Sequence, residues 1–253
     1  MKAYITNKHW ASIYSDFINV ATVDAMDDNY TEAINFSFSF DPVTDNTMSY
    51  IIGVFDPKKA AKMFFWYKKA DKNDASITDY FSEYKRCIDE NHDYFNSNYG
   101  IYAYRQGGLK FCVDELKRNH KSRQACFCIN KNAVAIKDFE IDKLCTNVIQ
   151  FFIRDARLEM VVQMRSSNFI ALLPYDAFMF SVFYFEVYKA LKEEHKLLRT
   201  GKIHMQIASL HYYKHNEIAA CIIERWSNIE TQLIDFTEDI NKLVNTLNKY
   251  TKQ

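Results

Sequence analysis

Apolar and polar residues alternate along Ala33–Phe40, where phenylalanines at every second position are separated by Ser37 and Ser39. This pattern predicts a half-buried strand. Strand-like runs recur at Ser49–Phe55, Gln124–Ile129, Asn147–Ile153, Leu158–Met164 and Ile203–Leu210. Asp41 to Asn46 is rich in turn formers, and Arg154-Asp155-Ala156-Arg157 reads as a hairpin turn. Apolar residues recur at helical spacing over Lys58–Ala70, Ile77–Asn91, Leu109–Asn119 after Gly107-Gly108, His215–Trp226 and Ile229–Tyr250. The segment from Pro174 to about Glu193 is apolar on nearly every side, so it predicts a helix through the middle of the fold. Proline suits its start, because the first turn of a helix leaves N–H groups unpaired in any case. Strands and helices mix without strict alternation, which indicates an α+β class.

No linker, repeat or low-complexity run divides the chain, so residues 1–253 read as a single domain long enough to bury a sizeable core. Thirty-two basic and thirty-two acidic residues cancel. That balance argues against a general nucleic-acid or membrane-surface binder, yet allows a small anion held by a few local arginines. The N-terminus lacks a secretory pattern, and the most apolar stretch, Phe169 to Tyr188, is interrupted by Pro174, Asp176 and Glu186. Six cysteines without a CxxC pair predict reduced thiols in a cytoplasmic protein. Cys126 and Cys128 share a strand face but have no second pair, so they read as core residues and no metal is expected. With five glycines and neither GxxxxGK[ST] nor GxGxxG, a glycine-rich phosphate loop is excluded.

The chemistry-bearing residues concentrate between Cys145 and Asp176. A cysteine thiolate can add to C6 of a pyrimidine and turn C5 into a carbon nucleophile, and a cation such as Arg165 would lower the thiol's pKa. Taken alone, Cys145 reads as a structural cysteine. Arg165-Ser166 at a strand end suits a phosphate clamp, since a guanidinium fork matches phosphate oxygens; otherwise it is a solvated strand end. The basic run Lys117–Lys121 with Ser122-Arg123 either adds positive charge or is a wet surface. Asp176, in the first turn of the apolar helix, either compensates the helix dipole or accepts from an exocyclic amine such as cytosine N4. His211 and Tyr213 share one face of a strand end, as sugar ligands or as a packed pair. His204, His215 and Lys62 are alternative proton shuttles.

From near Met63 to near His215, these residues together resemble the thymidylate synthase superfamily, and within it the phage deoxycytidylate hydroxymethylase branch. The markers are Trp66-Tyr67-Lys68, Asn96–Gly100, Ser122-Arg123, Cys145-Thr146-Asn147, Arg165-Ser166, Asp176 and Ser209–Tyr213, in the family's order and spacing. The resemblance implies an α+β fold with a large mixed sheet flanked by helices, whose outer face packs against its twin in a back-to-back obligate homodimer. It implies that Cys145 attacks C6 of a pyrimidine nucleoside monophosphate, with Tyr99 near C5. Arg165 and Ser166 would grip the phosphate, and Arg123 would reach the partner's phosphate site. His211 and Tyr213 would hold the sugar. Asp176 replaces the asparagine of uracil-specific members and marks a cytosine reader.

The family's 5,10-methylenetetrahydrofolate would meet altered positions. Asn168 stands where an aspartate binds the pterin, and Leu172 stands where a glycine supports it. Met63 replaces the family's catalytic glutamate, and Ala21 to Tyr30 contains no arginine. Three readings fit this pattern: a C5-modifying transferase acting on a cytidylate, a folate-independent relative, and a non-catalytic cytosine-nucleotide-binding dimer.

Overall fold

A computed structural model describes residues 4–5, 10–23, 29–42, 56–87, 95–130 and 142–213. The expected strand Ser49–Phe55, most of the turn from Asp41 to Asn46, Cys221, His215 and the helices His215–Trp226 and Ile229–Tyr250 lie outside them.

The chain orders β1 (Tyr4–Ile5), α1 (Trp10–Val20), β2 (Thr22–Val23), β3 (Tyr30–Phe40) and α2 (Pro57–Lys69). Then come α3 (Gly108–Arg118), β4 (Cys126–Cys128), β5 (Thr146–Arg154), β6 (Arg157–Asn168), α4 (Leu173–Lys192) and β7 (Arg199–Tyr213). One seven-stranded sheet runs β1-β3-β7-β6-β5-β4, with β2 also pairing with β3. β1–β3 and β6–β7 are parallel and the remaining pairs antiparallel, so the sheet is mixed as the α+β reading requires.

Local chemistry explains the elements that hold the site. The β5–β6 hairpin closes on Asp155 and Ala156, both at positive φ (50° and 56°), the geometry that matches a two-residue turn to the twist of its strands. α4 is the parallel crossover from β6 to β7. Fifteen of its residues, from Leu173 to Leu191, are buried, so a helix that is apolar all round has found the interior its composition demands. Phe36, Phe38 and Phe40 are buried on one face of β3, alternating with Ser37 and Ser39 on the other. On that other face Ser39 Oγ meets His204 Nδ1 at 2.8 Å, and His204 Nε2 meets Glu159 Oε2 at 3.1 Å. His204 is thus held across the outer face of three strands.

Some expectations need correction. The helix expected over Ile77–Asn91 is, in its described part, two short 3-10 turns, Ala75–Asp79 and Ser82–Cys87. Asp74 caps the first by accepting from Ser76 N at 3.0 Å. Phe81 between them is 1% exposed, so burying that ring breaks a continuous helix. The hydrophobic repeat did not reveal α1 or the π-turn Ile101–Arg105. Gln124–Ile129 contracts to the three residues of β4, while β6 and β7 extend beyond the alternating cores that announced them.

Candidate active site

Cys145 sits half-buried at the mouth of β5, beside the far end of β6. Its carbonyl accepts from Arg165 N at 2.8 Å, which clamps the two segments together. The Arg165 guanidinium donates from Nε to Leu144 O (2.8 Å), from Nη2 to Lys143 O (2.9 Å) and from Nη1 to Ser166 Oγ (3.1 Å). Nη2 also lies 3.7 Å and Ser166 Oγ 3.8 Å from Cys145 Sγ. Thiol, cation and hydroxyl, spread over some twenty residues of sequence, therefore form one cluster.

The thiol is not activated in the free protein. Burial pushes the Cys145 pKa up, and Asp176 and Asp142 add to this; Arg165 and Ser166 pull it down but do not prevail. Arg165 does lower the thiol pKa as expected, but desolvation of the thiolate outweighs it and the net shift is upward.

Asp176 lies in the first turn of α4 and is 9% exposed. Burial pushes its carboxyl up to about 7, and hydrogen bonding by the Ser167 hydroxyl partly offsets this. Near neutral pH the side chain is therefore divided between acid and carboxylate. Tyr99, 4% exposed, packs its ring 5.5 Å from that of Tyr67. Gly100 makes this approach possible, because a Cβ there would stand 1.7 Å from Tyr67 O. Tyr99 responds electrostatically to both Asp176 and Cys145.

Around this cluster three hydroxyls are buried: Tyr67 Oη beside Tyr84, Thr146 Oγ1 beside Tyr99 and Ser167 Oγ beside Asp176. Their grouping gives this part of the interior a polar lining. Sequence reading missed Tyr84 and the roles of Tyr67, Thr146 and Ser167. No motif announces such residues, since each is ordinary until the fold brings it to Asp176.

His211 and Tyr213 lie at the end of β7, their rings 5.3 Å apart and edge-to-face, with Tyr30 6.3 Å from each. Register sets His211 opposite Asn168 and Ser209 opposite Ser166, so this strand end borders the cluster. Ser209 also donates to the Glu32 carboxylate.

Arg123 is different. Ser122 Oγ donates to Glu115 Oε1 at 2.5 Å, and the Arg123 carbonyl accepts from Gln150 Nε2 at 2.8 Å. Gln150 lies five positions along β5 from Cys145, roughly 16 Å at about 3.3 Å per residue. Within one chain Arg123 is exposed and not brought to the thiol.

The two positions at which the resemblance implies a folate contact, Asn168 and Leu172, are occupied structurally. Asn168 Oδ1 accepts from Ile170 N (3.0 Å) and Ala171 N (2.9 Å), which uses both its lone pairs to hold the turn into α4. Its acceptor oxygen is thus committed to the turn. Leu172 packs partly buried against the core, placing a branched side chain where the family has none. These residues do not fit the group. Among the described residues, no cluster of three or more His, Cys, Asp or Glu could hold a metal ion. No described helix is long and apolar enough to cross a membrane.

Comparison with known proteins bears on this arrangement. No family model matches. The chain is 23% identical over 194 residues to the deoxycytidylate 5-hydroxymethyltransferase of Enterobacteria phage T2, covering 73% of this chain and 78% of that protein. It is 25% identical over 127 residues to the enzyme of the same name from phage T4, covering 48% of this chain and 52% of that protein. Thermostable thymidylate synthase A from Bacillus subtilis superposes with a TM-score of 0.61 at 16% identity, over 89% of this chain and 84% of its own. The chain is thus similar in sequence to phage deoxycytidylate 5-hydroxymethyltransferases and shares the fold of thymidylate synthase. The thiol, arginine and serine that carry the resemblance stand together in the structure.

Proposed function

We propose that this protein is a C5-modifying enzyme of cytidylate, acting through a covalent bond from Cys145 to C6 of the base. The observation that carries this reading is the pairing of the Cys145–Arg165–Ser166 cluster with a buried carboxyl, Asp176, in electrostatic contact with the thiol. A lone buried acid is costly to a fold and serves it poorly, whereas a base edge with an amine and a ring nitrogen matches it.

The 5′-phosphate is held by Arg165 and Ser166 and the sugar by His211 and Tyr213. Asp176 meets the base edge: as a carboxylate it accepts from N4–H₂, and as an acid it also donates to N3. Cys145 gives up its proton to solvent, Arg165 stabilises the thiolate, and sulfur adds to C6. The C5=C6 electron pair then becomes available at C5, beside Tyr99. No step runs through folate. Arg123 of a second copy completes the phosphate site in a homodimer, and the chain works as one domain in the cytoplasm.

The test is release of tritium from C5 of labelled dCMP and CMP, with and without methylene-tetrahydrofolate, by wild type and Cys145→Ala. Exchange by the wild type alone supports covalent chemistry at C6. No exchange by either, with dCMP still bound, would favour a binding protein instead.

A further inference from the structure

The chemistry at C5 needs a route for a proton, and the position where the resemblance places a carboxylate is Met63, an apolar side chain 1% exposed. One turn later on the same face of α2 stands Tyr67, because residues four apart on a helix are neighbours. Its ring packs 5.5 Å from Tyr99 and 6.3 Å from Phe183, and its hydroxyl is buried beside the Tyr84 phenol. Tyr84 stands close by, its ring 5.5 Å from Trp66 and 6.0 Å from Phe95, and its phenol is in electrostatic reach of Asp176 and Cys145.

We propose that Tyr67 and Tyr84 hold a water that delivers and removes the proton at C5 of bound cytosine, replacing a carboxylate that this chain lacks on that face of α2. The inference rests on the function proposed above. Burial holds both phenols well above the usual tyrosine range, and neighbouring Asp176 reinforces this. They remain neutral, so they orient water by hydrogen bonds and do not act as bases themselves. Both are positioning residues. Thr146 Oγ1 beside Tyr99 and Ser167 Oγ beside Asp176, both buried, offer further anchors for solvent at the same place.

The step balances without a co-reactant. The Cys145 thiolate bonds to C6, the C5=C6 pair moves to C5, and C5 takes a proton from the water. In reverse, the other C5–H bond breaks and its proton passes to water. Its electron pair restores C5=C6, the C6–S bond breaks, and sulfur leaves as thiolate. With tritium at C5, one triton enters solvent for each proton taken up.

Tyr67→Phe tests this. It deletes one buried hydroxyl and keeps the ring packing, so the cooperative urea transition should be retained. Affinity for dCMP should remain within about twofold, while tritium release should fall about 10²-fold, the lower range for a proton-transfer group. Adding Met63→Glu to Tyr67→Phe should recover at least tenfold, since a carboxylate returns one turn away; a purely structural role would not show that rescue. Tyr84→Phe, at a partly exposed site, reads the same step should Tyr67→Phe not fold. Exchange by Tyr67→Phe within about twofold of wild type overturns the proposal. So does a loss of exchange matched by lost stability and dCMP affinity. Wild type that binds dCMP without exchange removes the proton role alone, whereas wild type that binds no cytidylate removes the functional reading beneath it.

Discussion

Arg165 Nη2 stands 3.7 Å from Cys145 Sγ while the same guanidinium grips the carbonyls of Lys143 and Leu144, the two residues before the thiol. The cation is thus bolted to the loop whose sulfur it serves, so the pair moves as a unit. A lysine could supply charge at this position but not three directed bonds.

Removing that cation should push the Cys145 thiol higher still. In alkylation by iodoacetamide with peptide mapping, the pH midpoint for Cys145 should lie above the ordinary cysteine value in wild type and move further up in Arg165→Gln. An unchanged midpoint would show that Arg165 does not govern the thiol. The same variant should weaken dCMP binding at least tenfold.

Asp176 should select cytosine over uracil. Uracil presents O4, which repels a carboxylate, and a buried polar group left unpaired costs about 1–3 kcal/mol. That corresponds to roughly ten- to a hundredfold at about 1.4 kcal/mol per decade. Asp176→Asn should erode or reverse the preference, because an amide can donate to O4 and accept from N3–H. Equilibrium binding of dCMP and dUMP at fixed ionic strength decides it; equal wild-type affinities would remove Asp176 from this role.

The same carboxyl should cost stability above neutral pH. Its folded pKa, about 7, lies above the ordinary 3.8. Between these values the folded state keeps a proton that the unfolded chain has lost, so this group's contribution falls as pH rises and levels off above about 7. The full difference corresponds to about 4 kcal/mol at 1.36 kcal/mol per pKa unit. Asp176→Asn should therefore be more stable than wild type in urea at pH 8, by about 2–4 kcal/mol, with the gap closing towards pH 4. A constant gap would place its cause elsewhere.

Arg123 should act across a subunit boundary. It is exposed and bonded through its carbonyl to Gln150, well along β5 from Cys145, and among the described residues the single-chain clamp is Arg165 with Ser166. Mixing Arg123→Ala with Cys145→Ala subunits should restore one working site per heterodimer, seen as tritium release exceeding that of either variant alone. A monomer in sedimentation at micromolar concentration would refute this.

Folate should bind weakly even with nucleotide present, because Asn168 has no acceptor left and Leu172 adds bulk. Isothermal titration with tetrahydrofolate checks this, and Leu172→Gly with Asn168→Asp should raise the affinity. Micromolar or tighter binding by the wild type would overturn it.

The sequence alone determined the elements whose periodicity is strong: the Phe36–Phe38–Phe40 alternation of β3, the hairpin at Asp155-Ala156 and the uniformly apolar α4 are local patterns that burial enforces wherever the chain folds. It also determined, through the order of Cys145, Arg165-Ser166 and Asp176, which residues to compare with a known family. It could not reveal the 3-10 turns around Phe81, where tertiary burial of one ring overrides helical spacing. Only the tertiary structure decided that the thiol pKa rises despite Arg165 and that the Asp176 carboxyl reaches about 7. It likewise decided that Tyr67, Tyr84, Thr146 and Ser167 surround them. Those properties come from removing water and from neighbours far apart in sequence, and desolvation has no signature in a string of residues.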